Sequence, residues 1–352
     1  MKFTHWILIF FVILLSIALP TFFRTNITAK TEQMNNNYSN YLIAASKSAL
    51  DSAAEDSKSN TSIFASEQTR QKAVDTFYKT LVQCFNYDYT TYAPIVKNYV
   101  PCIVLVDNDG FYIEYGEDRQ NADGTYEVYD IISPIHKWSR SYSPGASGNV
   151  GHEFYVEFHL DDTISVVYLK NNEDPVQYSG NYKDVYDQLH RDGISLGSMI
   201  NSDSIYDLEA LLSDYKTFYN EKKDVIIAEV QQQLEYYINT KTEVNNPNGR
   251  YQYQFTLPRV TGQDWARMVD GPTILSFMQG AQTQYGTYEY NVYALAGAEV
   301  EYDYVYYISP VDGTDYYHLK GCQHLDESKM SRGYSMEKAA SLGAYPCPYC
   351  IR

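Results

Sequence analysis

The β-rich region that we predict in this chain begins with the stretch Cys102-Ile-Val-Leu-Val-Asp107-Asn-Asp109-Gly110-Phe-Tyr-Ile-Glu-Tyr115. Two runs of β-branched, aliphatic and aromatic residues flank an Asp/Gly turn, which is typical of a β-hairpin. The Asp-x-Asp-Gly sequence also occurs in calcium loops. Here, however, a phenylalanine stands at the fifth loop position, and the downstream glutamate is missing. We therefore interpret the stretch as a strand, a tight turn and a second strand.

Strands and long helices alternate after this hairpin. Period-two patterning predicts strands at 126–132, 153–160 and 163–169, and residues 182–240 return to helical periodicity. We interpret 263–280 as a helical insert, broken at Gly271-Pro272. Strands at 288–293 and 299–308 are predicted to complete the sheet. The pattern predicts an α+β fold over residues 99–310, with long helices packed on an antiparallel sheet and a division near residue 181 as one option.

The last part of the chain carries a metal-ligand motif, His318-Leu-Lys-Gly-Cys322 followed by Cys347-Pro-Tyr-Cys350. One imidazole and three thiolates in two closely spaced pairs fill a tetrahedral site and leave no position open for water. We therefore predict a structural zinc module over residues 311–352. Two alternatives stay open: His324 in place of His318 as a ligand, and a reduced or disulfide-bonded Cys-x-x-Cys without metal.

The spacing of these ligands resembles the zinc module of the Ada family of DNA alkylation-repair proteins, over about residues 305–352. In that family the first ligand is a cysteine whose thiolate accepts a methyl group from DNA, whereas this chain has His318 there. Residues 312–352 also carry five acidic and five basic residues, so they offer no basic face for phosphates. The resemblance implies the metal and not the repair reaction.

The N-terminal segment, residues 6–23, is an uncharged and largely apolar run. As a helix it would rise about 27 Å, close to the roughly 30 Å of a membrane's hydrocarbon layer. A cleaved signal peptide is the alternative, because Ser16-Ile-Ala18 forms a small-x-small site. We favour a retained single-pass anchor over residues 1–23, since Leu19, Phe22 and Phe23 continue the apolar run past that site. The bulk of the chain is then extracytoplasmic.

Residues 24–98 are predicted to form a helical stalk, with small and apolar residues at helical spacing. A membrane helix that continues into such a stretch, over about residues 1–60, resembles the anchor of Tad-type minor pilins and pseudopilins. Residues 255–280 are similar to surface proteins from mobile-element and pilus-type clusters of Gram-positive bacteria. Both resemblances imply a surface protein, and neither implies a reaction.

The composition agrees with an exported protein. The net charge is −17, which disfavours nucleic acids and anionic membrane surfaces as partners. There are 37 tyrosines among the 352 residues, a usage that suits half-exposed sheet faces and contact surfaces.

Of the five cysteines, three belong to the motif, so Cys84 and Cys102 are left as a pair that we predict to form a disulfide in an oxidising compartment.

These features lead to three functional hypotheses. The first is a membrane-anchored, extracytoplasmic structural or assembly protein, pilus-like or from a mobile element, with protein partners in a surface assembly. The second is a ligand-binding or sensory module, because a stalk helix followed by such a sheet resembles Cache or PAS-like domains. The third is an enzyme, which we disfavour because the sequence has no phosphate loop, nucleophile elbow or His-Glu-x-x-His motif.

Overall fold

A computed structural model gives the fold of the chain, which is a mixture of helices and antiparallel sheets. The structure describes residues 3–57, 62–120, 126–144, 152–170, 173–197, 199–204, 206–244, 260, 262–282, 289–297, 307–311, 314–319, 322–326, 328–329, 344–347 and 349–350. The chain divides into two compact units, Met1–Ala298 and Glu299–Arg352. Each unit is described separately below.

The described part of the first unit consists of helices and two antiparallel sheets. Its helices are α1 (Phe3–Asp56), α2 (Glu67–Cys84), α3 (Tyr89–Lys97), α4 (Tyr182–Arg191), α5 (Leu208–Ser213), α6 (Tyr215–Val244) and α7 (Gly262–Val269). Its strands are β1 (Cys102–Asp107), β2 (Gly110–Gln120), β3 (Tyr126–Ile132), β4 (Trp138–Pro144), β5 (His152–Phe158), β6 (Thr163–Lys170), β7 (Val176–Asn181), β8 (Met199–Ile200), β9 (Thr273–Gln282) and β10 (Glu289–Gly297).

The main sheet is antiparallel and has the strand order β10-β9-β1-β2-β3. The hairpin predicted from the sequence is confirmed, with Cys102 opposite Tyr115 and Asp107 opposite Gly110. Every residue of β1 is buried, because this strand has neighbours on both edges and is covered on both faces. A strand buried in this way has a continuous apolar sequence in place of strict alternation.

The two faces of the main sheet contact different helices. On one face, Cys102, Val104 and Val106 join a large core with α6 and with the second sheet. On the other face, α1 packs on β9 and β10, and α2 reaches β2 through a hydrogen bond from the Tyr78 hydroxyl to Glu114. Successive residues of β1 therefore contribute to cores on opposite sides of the sheet.

The second sheet has the order β7-β6-β5-β4-β8 and buries one face in the same large core as α6. The buried side chains alternate with half-exposed or exposed ones along β4 and β6. This alternation is the pattern of an antiparallel sheet that is solvated on its other face. The predicted strands at 126–132, 153–160 and 163–169 are confirmed as β3, β5 and β6, whereas β4 and β7 were not anticipated.

The turn between β1 and β2 holds several segments together. The buried carboxylate of Asp107 accepts hydrogen bonds from the Ser62 hydroxyl and from the backbone N–H groups of Ile63, Phe64 and Asn108. The connection between α1 and α2 is thereby attached to the end of β1.

A Cβ on Gly110 would lie 2.4 Å from the His136 carbonyl oxygen, so this close approach of the two backbones requires glycine.

The helical insert predicted at 263–280 is wrong in its second half. Helix α7 ends at Val269, and after Gly271-Pro272 the chain forms β9, a strand in the middle of the main sheet. Leu275 and Phe277 enter the large core, while Ser276 faces α1 and exchanges a hydrogen bond of 2.7 Å with Ser46. A short apolar run of this kind is compatible with helix or strand, and its tertiary neighbours decide between them.

The predicted disulfide between Cys84 and Cys102 is not formed. Both cysteines lie within the described residues, and no disulfide bond joins them. The reason is the direction of the side chains: Cys102 points into the core on the α6 face of the sheet, whereas Cys84 ends α2, which packs on the opposite face. Cysteine parity carries no information about which face of a strand a thiol occupies.

Helix α1 begins at Phe3 and continues without a break to Asp56. As far as the structure describes the helices, none is long and apolar enough to cross a membrane. The predicted anchor, residues 6–23, lies in the part of α1 whose side chains fall outside the described residues.

The second unit is built on a small three-stranded sheet. Its strands are β11 (Tyr307–Val311), β12 (Thr314–His318) and β13 (Tyr345–Pro346). β11 pairs antiparallel with β12, and β13 lies parallel on the other edge of β12. The described part of the strand predicted at 299–308 therefore pairs within this unit, whereas the sequence had suggested that it completes the main sheet.

The role of Asp107 can be tested by replacing it with alanine. Removal of the carboxylate leaves buried backbone N–H groups of Ile63 and Phe64 without an acceptor, which should lower the free energy of unfolding by about 3 kcal/mol. Asp109→Ala is the matched control in the same turn: its side chain is 54% exposed and pairs with His159, so the loss should stay below about 1 kcal/mol. Denaturant unfolding of both variants measures the difference, and equal losses would contradict this role of Asp107.

Candidate metal centre

The first pair of candidate ligands lies at the end of β12. His318 is the last residue of that strand, and the chain then turns back so that the Cys322 N–H donates to the Leu319 carbonyl at 3.2 Å. The Leu325 N–H in turn donates to the Cys322 carbonyl at 2.9 Å. These local hydrogen bonds form a compact knuckle that presents Cys322 beside the strand end.

The second pair is brought to the same place by β13. Tyr345 and Pro346 pair with Tyr316 and Tyr317 of β12, and the Cys347 N–H then donates to the Tyr317 carbonyl at 3.1 Å. Because the two strands run parallel, their carboxyl ends lie side by side. His318 at the end of β12 and the cysteines that follow the two strands therefore meet at one end of the sheet.

One ligand atom from each of His318, Cys322, Cys347 and Cys350 lies within 4.8 Å of the other three. The Sγ atoms of Cys322 and Cys347 are 3.8 Å apart. Two thiolates bound tetrahedrally to one ion at about 2.3 Å would have their sulfurs roughly 3.8 Å apart. This group of side chains can thus hold a metal ion at ordinary bond lengths.

The burial of the group also points to a ligand. His318 is 0% exposed and Cys347 is 1% exposed, while Cys322 and Cys350 are half-buried. Neither ring nitrogen of His318 makes a hydrogen bond of good geometry with a described group of the chain. Burial lowers the pKa of the ring, and the nearby Ser309 backbone opposes this shift. A buried imidazole without partners is costly unless a bound group satisfies it.

The protonation states follow from this burial. Burial lowers the pKa of His318, which favours the neutral imidazole that a metal ion binds. The same burial raises the pKa of the Cys322 thiol, and it raises the pKa of the Cys350 thiol well above its usual range. These cysteines therefore hold their protons at neutral pH until a cation displaces them, so that metal binding releases protons.

The structure also decides between the two candidate histidines. His318 belongs to the four-residue group, whereas the ring of His324 stacks on Tyr349 with the centroids 3.9 Å apart. His324 is exposed and lies outside the group. The ligand set predicted from the sequence, His318 with Cys322, Cys347 and Cys350, is the one that the fold brings together.

The described core around this centre is small. Tyr317 and Ala344 form its buried cluster, with Ile308 and Leu319 partly buried against it. So few apolar side chains do not offset the loss of chain entropy on folding. Around the described residues, a cross-link at the centre would therefore add to the stability that this small cluster provides.

Sequence reasoning missed a set of buried charges in the first unit. Arg140 forms an ion pair with Glu221, which is 3% exposed and also accepts a hydrogen bond from Tyr142 at 3.2 Å. The ammonium of Lys222, 2% exposed, donates to the Leu160 carbonyl at 2.9 Å and pairs with Asp162 at 3.2 Å. The sequence carried no signal for this burial, because α6 has many charged and polar residues and Glu221 and Lys222 could equally lie on its solvated face. Their pairing with Arg140 and Asp162 accounts for their burial.

No family model, no curated protein and no solved structure matches this chain. The interpretation of the site therefore depends on its own geometry.

Single substitutions of the two histidines test the ligand set. His318→Ala removes one of four ligands from a closed site, so we expect bound metal to fall from one ion per chain to a small fraction of that after dialysis. His324→Ala, the control, should keep the full amount because His324 lies outside the group. Elemental analysis of the purified proteins measures the difference. Retention of metal by His318→Ala together with its loss from His324→Ala would reverse the assignment.

Proposed function

We propose that this chain is a membrane-anchored surface protein with a structural role, and that its C-terminal unit is held together by a zinc ion. Residues 24–352 are outside the cytoplasm, and the protein has partners in a surface assembly and catalyses no reaction. The observation that carries the zinc part of the proposal is the His/Cys3 group, a metal-ligand set whose four donor atoms the described residues bring within 4.8 Å of one another.

Zinc is the ion that suits this group best. Thiolates are soft ligands and imidazole is a nitrogen ligand that zinc also prefers; three of the first and one of the second fill a tetrahedral sphere, the usual arrangement of structural zinc sites. Carboxylate and carbonyl oxygens, which calcium and magnesium require, are absent from the group of four. With every position taken by protein, the ion stabilises the fold and has no site for a substrate.

The same ligand set argues against DNA repair of the Ada type. That reaction needs a metal-bound thiolate as methyl acceptor at the position where this chain has His318. The imidazole of His318 is fully buried, which also keeps it away from a large substrate such as DNA. The proposed likeness to the Ada-type module therefore concerns the metal site alone.

The anchor is proposed from the sequence of residues 6–23 and from the form of α1. A helix of 54 residues extends about 80 Å, far more than the diameter of a small domain. Its buried side chains against the sheet lie between Leu42 and Ala53, while residues 29–41 are exposed or half-buried. In our proposal, the N-terminal half of α1 therefore serves another purpose than packing on the sheet. That purpose is insertion into the membrane.

The exposed aromatic residues support a role in assembly. Tyr345 and Tyr349 are 62% and 69% exposed, and they flank the buried ligand Cys347. In the first unit, Tyr87 and Tyr236 are 49% and 63% exposed. Tyrosine combines a large apolar ring with a hydroxyl group, and it is enriched at the centres of protein interfaces.

Membrane topology tests this function. Leu14→Lys places a charge in the proposed span, at a cost of about 3 kcal/mol at the centre of a membrane helix, so we expect most of the variant to leave the membrane fraction. Leu14→Val is the matched control and should stay in the membrane. In intact cells, added protease should degrade the wild-type chain down to the anchor. A full-length, protease-protected protein in the cytosol would contradict the proposal.

A further inference from the structure

The metal centre contains three thiols, an odd number, within 4.8 Å of one another. We propose that Cys322 and Cys347 are a redox-active pair that forms a disulfide when the centre holds no metal. This inference depends on the proposed metal site, because it concerns the state of the same residues after the ion has left.

The geometry favours this pair. The Sγ atoms of Cys322 and Cys347 are 3.8 Å apart, and a disulfide needs them at about 2.05 Å. Closure therefore needs a small movement of two side chains on neighbouring knuckles. The hydrogen bond from the Cys347 N–H to the Tyr317 carbonyl keeps the two knuckles adjacent without the ion.

The two sulfurs also differ in accessibility, which sets the order of the reaction. Cys322 is half-buried and can meet a small oxidant, whereas Cys347 is 1% exposed. The Cys322 thiol gives up its proton and attacks one sulfur of a low-molecular-weight disulfide; this forms a mixed disulfide and releases one thiolate of the oxidant, which takes up a proton. The Cys347 thiolate then attacks the Cys322 sulfur and releases the second thiolate. Two electrons pass from the cysteines to the oxidant, and the two cysteine protons pass to the released thiolates.

The disulfide would replace the metal as a cross-link at the same place. The ion connects the end of β12 to the end of β13, and the bond from Cys322 to Cys347 connects the same two segments. Three thiols allow two other bonds. A bond from Cys347 to Cys350 would lie within one knuckle and leave the other unattached, whereas a bond from Cys322 to Cys350 would also connect the two segments and is distinguished by the peptide mapping below. An extracytoplasmic chain meets both low metal and oxidising conditions, so the second unit would keep its connection in either state.

The experiment uses the full chain before and after removal of metal. Zinc content is measured first, and a portion is then treated with a chelator. Both portions are held in a buffer of oxidised and reduced glutathione, alkylated and digested without reduction. Mass spectrometry of the peptides should find Cys322 linked to Cys347 and Cys350 alkylated in the metal-free portion. The zinc-loaded portion should show all three cysteines alkylated.

Two variants make the assignment specific. Cys350→Ser keeps both partners and should still form the Cys322–Cys347 bond after metal removal, whereas Cys322→Ser should lose it. A dominant bond from Cys350 to either Cys347 or Cys322 in the wild-type chain, or three alkylated cysteines in the metal-free portion, would overturn the inference. The zinc measurement tests the proposed metal site separately, because a chain purified without zinc would refute that site whatever disulfide it contains.

Discussion

The second unit of this protein depends on one constraint, which is that four side chains from two knuckles converge on one point. His318 and Cys347 are buried there, and the described apolar cluster beside them consists of few side chains. The apolar burial among the described residues is too small to offset the loss of chain entropy by itself. In the proposed zinc-bound state, metal binding energy is folding energy, and the centre and the unit should form together.

The first unit is stabilised in a different way. Its main sheet is covered on both faces, so that successive residues of β1 enter separate cores and the whole strand is buried. A group of buried hydrogen bonds also stabilises this unit at one end of β1. There Asp107 accepts four hydrogen bonds and attaches the connection between α1 and α2. Within this unit, burial supplies the larger part of the stability and the carboxylate determines how the first two helices attach.

The sequence predicted what is local and failed where distant neighbours decide. Spacing alone predicted the four side chains that the fold brings together, since each knuckle is only a few residues long. The hairpin at 102–115 was predicted for the same reason. β9 was assigned to a helix because its short apolar run has no period of its own. Its place beside β1 comes from the pairing of Thr273–Ser276 with Ile103–Val106, which are distant in the sequence.

The prediction of a disulfide failed for the same reason, because it depends on the positions of residues that lie in different elements. Counting cysteines left Cys84 and Cys102 as a pair, but the pleat of β1 turns Cys102 to the face opposite α2. The buried pairs of Glu221 with Arg140 and of Lys222 with Asp162 also join residues that are far apart in sequence. No local pattern distinguishes such charges from the solvated face of a helix before the fold is known.

The central claim is that a single zinc ion is bound by one imidazole nitrogen and three sulfurs. X-ray absorption at the zinc edge of the purified full chain measures this coordination directly. The account predicts a first shell of three sulfur neighbours at about 2.3 Å and one nitrogen at about 2.0 Å, with no water oxygen. A shell made of oxygen and nitrogen neighbours, or one with two or fewer sulfurs and a bound water, would contradict it.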